Sequence, residues 1–117
     1  MKALTIKGTV YPVHGGYGTI ILLGDRTGLD FYEILDKFSN PDAKGANDFF
    51  KFLGEFTFCL IERGYEEKGE VMPDLKKLDV IDWLAEGNTE EVIKMFIECA
   101  PKVSESKNAV APTTGQK

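Results

Sequence analysis

The chain offers few residues that could carry out chemistry. His14 is its single histidine, and no serine, cysteine or acidic residue is placed with it to form a recognisable catalytic triad. Cys59 and Cys99 have neither a CxxC partner nor a histidine at metal-ligand spacing. The sequence therefore predicts a protein that is not an enzyme, with no catalytic residue, no metal site and no cofactor.

The two cysteines could pair as a disulfide or remain reduced. The N-terminal sequence MKALTIKG lacks the extended apolar segment of a secretion signal, which favours a reducing compartment. Both cysteines fall in segments of helical pattern, where a free thiol behaves as a small apolar side chain. We expect reduced, buried cysteines in a cytoplasmic protein.

A glycine-rich turn, Gly15-Gly16-Tyr17-Gly18, lies between a predicted strand and a predicted helix, where a phosphate-binding loop would stand. Its spacing is not GxGxxG, and no GK[ST] sequence follows. The next predicted element is another helix and not the second strand of a βαβ unit. We interpret the segment as a plain strand-to-helix turn.

The overall composition narrows the class of partner. Apolar residues make up 43% of the 117 residues and charged residues 28%, as in an ordinary globular domain. The formal net charge of −5 and the lack of a long lysine and arginine cluster argue against nucleic-acid binding. The longest apolar run, Ile20–Leu23, is far too short to span a membrane. Function is therefore expected to lie in protein-binding surfaces.

Residue periodicity predicts a mainly α (α+β) fold, with about five helices in a compact bundle and a small N-terminal β-hairpin at Ala3–Val13. Four of the predicted helices are Tyr17–Arg26, Asp48–Arg63, Val80–Leu84 and Thr89–Ala100. The fifth follows Asp30, its predicted N-cap, and carries Phe31, Ile34, Leu35 and Phe38 on one face. Residues 1–103 are predicted to form one globular domain. Residues 104–117 are predicted to be a flexible C-terminal tail, because they have little apolar surface to bury.

The helix Asp48–Arg63 is predicted to be the centre of the fold. One stripe carries Phe49, Phe52, Leu53, Phe56 and Leu60, and a second carries Phe50, Phe58 and Ile61. An apolar arc this wide exceeds what one neighbouring element can cover. We expect Gly64 to mark the end of this helix.

The segment 80–97 is predicted to form two short amphipathic helices. Gly87 suits the position just after a helix end, and Asn88 suits an N-cap that Glu91 completes as a capping box. Trp83 either fills the core or stands on the surface as a binding anchor. Surplus apolar side chains here and on the central helix predict a partner-binding surface. Its candidate residues are Trp83, Met95, Phe96, Phe50 and Phe58.

The order of these segments resembles the tail assembly chaperones of siphovirus-type phages and prophages. The resemblance rests on the hairpin sequence TIKGTVYPV, the helical stretch YGTIILLGDRTGLDFYEIL, the closing stretch DVIDWLAEGNTEEVIKMFIECA and a polar, lysine-containing tail from Ser104. The chain departs from the family pattern at Gly24-Asp25, where a Leu-Glu type pair is common, and in the aromatic density of Phe49–Phe58.

The resemblance implies a non-enzymatic role, in which the protein keeps a tape measure protein soluble while tail tube subunits assemble around it in the host cytoplasm. The tape measure protein and the tail tube protein are then the expected partners. Exposed apolar surfaces also predict a homo-oligomer when the client is absent. Two alternatives stay open: a small protein–protein adaptor or other phage structural factor, and a small enzyme or ligand-binding domain that uses His14 and the glycine turn.

Overall fold

The computed structural model describes residues 2–39 and 46–100. Two antiparallel strands, β1 (Lys2–Ile6) and β2 (Thr9–Val13), form an N-terminal hairpin. The helices are α1 (Tyr17–Thr27), α2 (Phe31–Ser39), α3 (Ala46–Lys68), α4 (Lys77–Trp83) and α5 (Thr89–Cys99), with a π-helical turn at Leu84–Asn88 between the last two. The mainly helical fold with a small hairpin is confirmed. The predicted tail, 104–117, and the domain boundary at 103 lie outside the described residues.

The hairpin turns at Lys7-Gly8, where both residues have positive φ angles of 51° and 83°. Two left-handed residues match the twist of the flanking strands, as in a type I′ turn. The turn sets a register in which Leu4 faces Tyr11 and Ala3 faces Pro12. Leu4, Ile6, Tyr11 and Val13 are buried, so one face of the hairpin packs on the helices.

The number of helices depends on how Gly87 is treated. Helical structure runs without interruption from α4 through the π-helical turn into α5, which gives four continuous helical segments among the described residues. Gly87 has a φ angle of 111°, and this left-handed residue divides the last segment into two. The predicted count of five is therefore reached only when α4 and α5 are counted separately.

Helix α3 is longer than predicted, because Gly64 does not end it. The helix continues to Lys68, and Gly69, with a φ angle of 69°, follows it. Gly64 has a packing role: a Cβ atom there would lie 2.2 Å from the carbonyl oxygen of Pro12. The absence of a side chain lets β2 cross the helix in direct backbone contact. A hydrogen bond from the His14 N–H to the Leu60 carbonyl, 3.0 Å long, continues this contact.

The prediction that α3 is central is confirmed, since it packs against β2, α1, α4 and α5. Its residues Phe52, Leu53, Phe56, Leu60 and Ile61 are all buried. Phe38 of α2 stacks on Phe96 of α5 with ring centroids 3.7 Å apart, and both rings meet Phe56 edge-on. These aromatic contacts join α2, α3 and α5 into one core.

The two predicted N-caps behave differently. At the start of α2, the Glu33 N–H donates to the Asp30 carboxylate (2.8 Å) and the Asp30 N–H donates to the Glu33 carboxylate (2.9 Å). This reciprocal pair is a capping box and confirms Asp30 as N-cap. Asn88 forms no side-chain cap on α5, and its side-chain amide instead donates to the Trp83 carbonyl (2.7 Å). Asn88 therefore closes the preceding helix, and the predicted capping box with Glu91 is wrong.

Candidate partner-binding groove

Three of the predicted partner-binding residues lie in the core. Trp83, Met95 and Phe96 are each at most 9% exposed, because α4 and α5 turn their apolar faces toward α3. Phe50 and Phe58 are half-buried and pack against the same core. Trp83, Met95 and Phe96 therefore form no exposed surface in this structure, and their part in partner binding stays a prediction. For Trp83, the alternative interpretation as a core residue is the one that the structure shows.

The glycine turn around His14 is used for internal packing. The His14 carbonyl accepts a hydrogen bond from the Thr19 hydroxyl (3.0 Å), and the Gly16 N–H donates to the Cys99 sulfur (3.3 Å). Gly18 lies against the guanidinium group of Arg63, which would be 2.7 Å from a Cβ atom at that position. These contacts tie the start of α1 to α3 and α5, in agreement with the interpretation as a strand-to-helix turn.

Cys59 and Cys99 form no disulfide with each other and are both buried, as predicted. Burial raises the pKa of the Cys59 thiol to about 12, since the thiolate would lose its hydration. A thiol with that pKa is a poor nucleophile at neutral pH. Among the described residues, no group of three or more His, Cys, Asp or Glu side chains is placed to hold a metal ion.

An open groove of about 500 Å³ lies between α1 and the beginning of α2. The residues that line this α1–α2 groove are Tyr17, Ile20, Ile21, Gly24, Asp25, Gly28, Leu29, Asp30, Phe31 and Ile34. Ile20 and Ile34 are buried and form its floor. Ile21 is 52% exposed, so a large apolar side chain stands at the groove with half of its surface in solvent.

The turn between α1 and α2 sets the shape of the groove. Gly28 follows α1 with a φ angle of 78°, and its N–H donates to the Gly24 carbonyl (2.8 Å). Gly24 also allows a close approach, because a Cβ atom there would lie 2.9 Å from the Leu29 carbonyl oxygen. The chain then enters α2 at the Asp30 capping box. Two glycines and one cap thus hold the groove walls in place.

Aromatic side chains extend the apolar surface beyond the groove. Tyr17 of α1 and Phe31 of α2 meet edge-on with ring centroids 6.0 Å apart, and Phe31 meets Tyr32 at 5.7 Å. Tyr32 is 77% exposed, and Leu35, one turn further along α2, is also exposed. The other large apolar side chains found exposed are Val10, Val71, Leu78 and Ile97, which lie on four separate segments. Exposed apolar residues are therefore concentrated around the α1–α2 groove.

The groove carries negative charge. Asp25 and Asp30 line it. Asp25 is exposed and its carboxylate forms no hydrogen bond or ion pair with a described residue, while the Asp30 carboxylate accepts the capping hydrogen bond from the Glu33 N–H. Arg26 is next to Asp25 in the sequence, but its guanidinium group makes a two-pronged hydrogen-bonded pair with Glu62 of α3. That pair raises the pKa of Arg26 and engages its charge away from the groove. The acidic side chains of the groove are therefore not neutralised by Arg26.

Sequence reasoning missed this groove, although one signal for it was present. Ile20–Leu23 places four apolar residues in succession on a helix, and four consecutive positions span all sides of a helix. At least one of these side chains must face away from the core, and it is Ile21. Among the described helices, none combines the length and the hydropathy that crossing a bilayer requires.

Comparisons of the chain with models of known protein families, with curated proteins and with solved structures find no match. The resemblance to tail assembly chaperones therefore stays a prediction from sequence motifs.

Proposed function

We propose that this protein is a non-enzymatic chaperone of phage tail assembly, which binds a helical segment of the tape measure protein in the α1–α2 groove. Its other expected partner is the tail tube protein, and its place of action is the cytoplasm of the bacterial host. One observation carries the proposal: an open groove with apolar and aromatic walls lies at the α1–α2 pair, where four of the eight large apolar side chains found exposed among the described residues are located. Apolar grooves of this kind bind amphipathic helices.

The shape of the groove suits a chaperone that must release its client. Its lining residues Tyr17 and Ile21 are exposed, so a bound helix would remain partly in solvent. Partial burial gives less free energy per contact than a closed pocket does, and dissociation is correspondingly faster. A client with many similar segments would be covered by several weakly bound copies, each of which leaves when tube subunits arrive.

Self-association is expected to be weaker than client binding. A second copy could cover the groove when no client is present, because exposed apolar surface favours any apolar partner. Each copy carries a formal net charge of −5, so two copies repel one another at low ionic strength. We therefore expect a concentration-dependent homo-oligomer that the client disperses.

A general protein–protein adaptor would use the same groove with a different client, so the identity of the client separates these two functions. The third candidate, a small enzyme or ligand-binding domain, depends on His14 and the glycine turn. His14 does not line the groove, and its backbone groups bind Leu60 and Thr19. This observation favours the two protein-binding functions.

Co-expression with a tape measure segment tests the proposal. The segment should become more soluble when the wild-type protein is present, and it should co-purify with it. Ile21→Glu places a charge in the groove and should abolish both effects. Leu78→Glu is the matched control: Leu78 is 73% exposed on α4, does not line the groove, and lies in a first helical turn that tolerates an acid. It should behave as wild type.

Two results would contradict the proposal. If wild-type protein neither binds nor solubilises the tape measure segment, the chaperone function is wrong and the adaptor function is preferred. If Ile21→Glu and Leu78→Glu have equal effects while both variants remain folded, the groove is not the binding site. Circular dichroism of both variants establishes that they are folded.

A further inference from the structure

We infer that the α1–α2 groove selects an amphipathic helix whose apolar stripe is flanked by lysine or arginine. This inference rests on the proposed function and adds the chemistry of the partner. Three features of the groove support it: the hydrogen-bonded backbone of its walls, the acidic side chains of Asp25 and Asp30, and the aromatic rings at its edge.

The backbone of the groove walls favours a helical occupant. The walls are helix α1, the turn after it and the first turn of α2, and their backbone groups bond within the chain, as in Gly28 to Gly24 and Ile34 to Asp30. Neither described β-strand lines the groove, so an extended peptide would find no strand edge there among the described residues. An occupant must satisfy its own backbone hydrogen bonds, and a helix does so.

The charge of the groove favours basic residues beside the apolar stripe. Asp25 and Asp30 line the groove, and Arg26 is held by Glu62. A helix that brings lysine or arginine to this edge would form ion pairs, whereas a helix with acidic flanks would be repelled. The same repulsion disfavours a second copy of this acidic chain as the preferred occupant.

The aromatic rings of the groove add a second attraction for cations. Tyr17 and Tyr32 both contact Phe31, and both tyrosine rings are exposed. A lysine or arginine placed over the face of an exposed tyrosine gains cation–π energy. Acidic and aromatic groups at one groove therefore favour the same kind of flanking residue.

Fluorescence anisotropy with designed peptides tests this inference. The first probe is an amphipathic peptide of about 18 residues, long enough to form a helix, with leucine at i, i+3, i+4 and i+7 positions and lysine beside the stripe. The second probe has glutamate in place of those lysines. We expect the lysine peptide to bind at least about tenfold more tightly at low salt, and the difference to shrink as the salt concentration rises.

A pair of isosteric variants assigns the effect to the groove. Asp25→Asn with Asp30→Asn removes two negative charges, and asparagine at position 30 remains a good N-cap. This double variant should weaken lysine-peptide binding by about tenfold and leave the glutamate peptide unchanged or bound more tightly. Glu70→Gln with Asp74→Asn removes two exposed charges that do not line the groove, and should change the affinity little.

The results separate this inference from the proposed function. Equal binding of both peptides, with loss of binding in Ile21→Glu, would leave the groove as a helix-binding site and overturn the selection for basic flanks. Equal effects of the two double variants would also overturn it. Failure of both peptides to bind wild-type protein would reject the helix-binding groove together with the inference.

Discussion

The α1–α2 pair and the α4–α5 pair are both made of two short amphipathic helices joined through a left-handed glycine, Gly28 in the first and Gly87 in the second. Both pairs have exposed apolar side chains, Leu78 and Ile97 in the α4–α5 pair among them, but several large apolar side chains of the two pairs differ in burial. Trp83, Met95 and Phe96 of the α4–α5 pair are buried, whereas Ile21 and Tyr32 of the α1–α2 pair are exposed by half or more.

The cause of the difference lies in the neighbours of each pair. Both α4 and α5 pack against the central helix α3, and α5 also contacts α1. In the other pair, α1 packs against α3, but α2 packs mainly against α1 and reaches the core through Phe38 near its C-terminal end. The beginning of α2 is thus left beside the groove. An apolar stripe marks a surface that must be covered, and only the tertiary structure shows whether the chain itself covers it.

The largest expected effect contrasts one aromatic residue from each pair. Phe96→Ala should lower the free energy of unfolding by about 3–5 kcal/mol, because it removes a buried ring that contacts Phe38 and Phe56. Tyr32→Ala should change it by no more than about 0.5 kcal/mol, since the ring is mostly in solvent. Urea denaturation measures both values. Similar losses of unfolding free energy in the two variants would contradict the difference in burial between Phe96 and Tyr32.

A smaller effect is expected from glycines of the closed region. Gly64→Ala should destabilise the protein by about 3 kcal/mol, because the new methyl group collides with the Pro12 backbone, which cannot move without shifting β2. Gly69→Ala is the matched control at the end of the same helix. It meets no atom within 4 Å and should cost only about 1 kcal/mol of left-handed strain. Thermal denaturation distinguishes the two, and equal costs would reject the packing role of Gly64.

The smallest expected effect on stability comes from a variant that measures the solvent accessibility of position 21. Ile21→Cys should react rapidly with a maleimide at neutral pH, while native Cys59 and Cys99 stay protected until the protein unfolds. For Cys59 the protection has two causes, burial and a pKa raised to about 12. Because folding raises this pKa from 9.0, the value of an exposed thiol, to about 12, Cys59 favours the folded state below pH 9 and loses that contribution toward pH 12. Mass spectrometry of labelled peptides measures the reactivity. Fast labelling of Cys59 in folded protein would contradict the buried core.

Three features of the fold could be predicted from the sequence because residue types and their spacing indicate them directly. The hairpin, the Asp30 cap and the central position of α3 follow from turn chemistry, capping and an unusually wide apolar arc, and the structure confirms all three. Gly64 was misjudged because a glycine that stops a helix and a glycine that admits a crossing strand look the same in one sequence. The groove was missed for a similar reason. Helical periodicity identifies Ile21 and Trp83 equally as apolar, and only the packing of α3 buries one of them.

A helical client of the proposed kind would bind the α1–α2 pair and leave the packing of the α4–α5 pair unchanged. Hydrogen–deuterium exchange of the protein, alone and saturated with a tape measure segment, tests this most directly. We expect slower exchange on binding in α1, in the turn after it and in the first turn of α2, with little change in α4 and α5. Protection confined to α4 and α5, with none around Ile21 and Phe31, would contradict it.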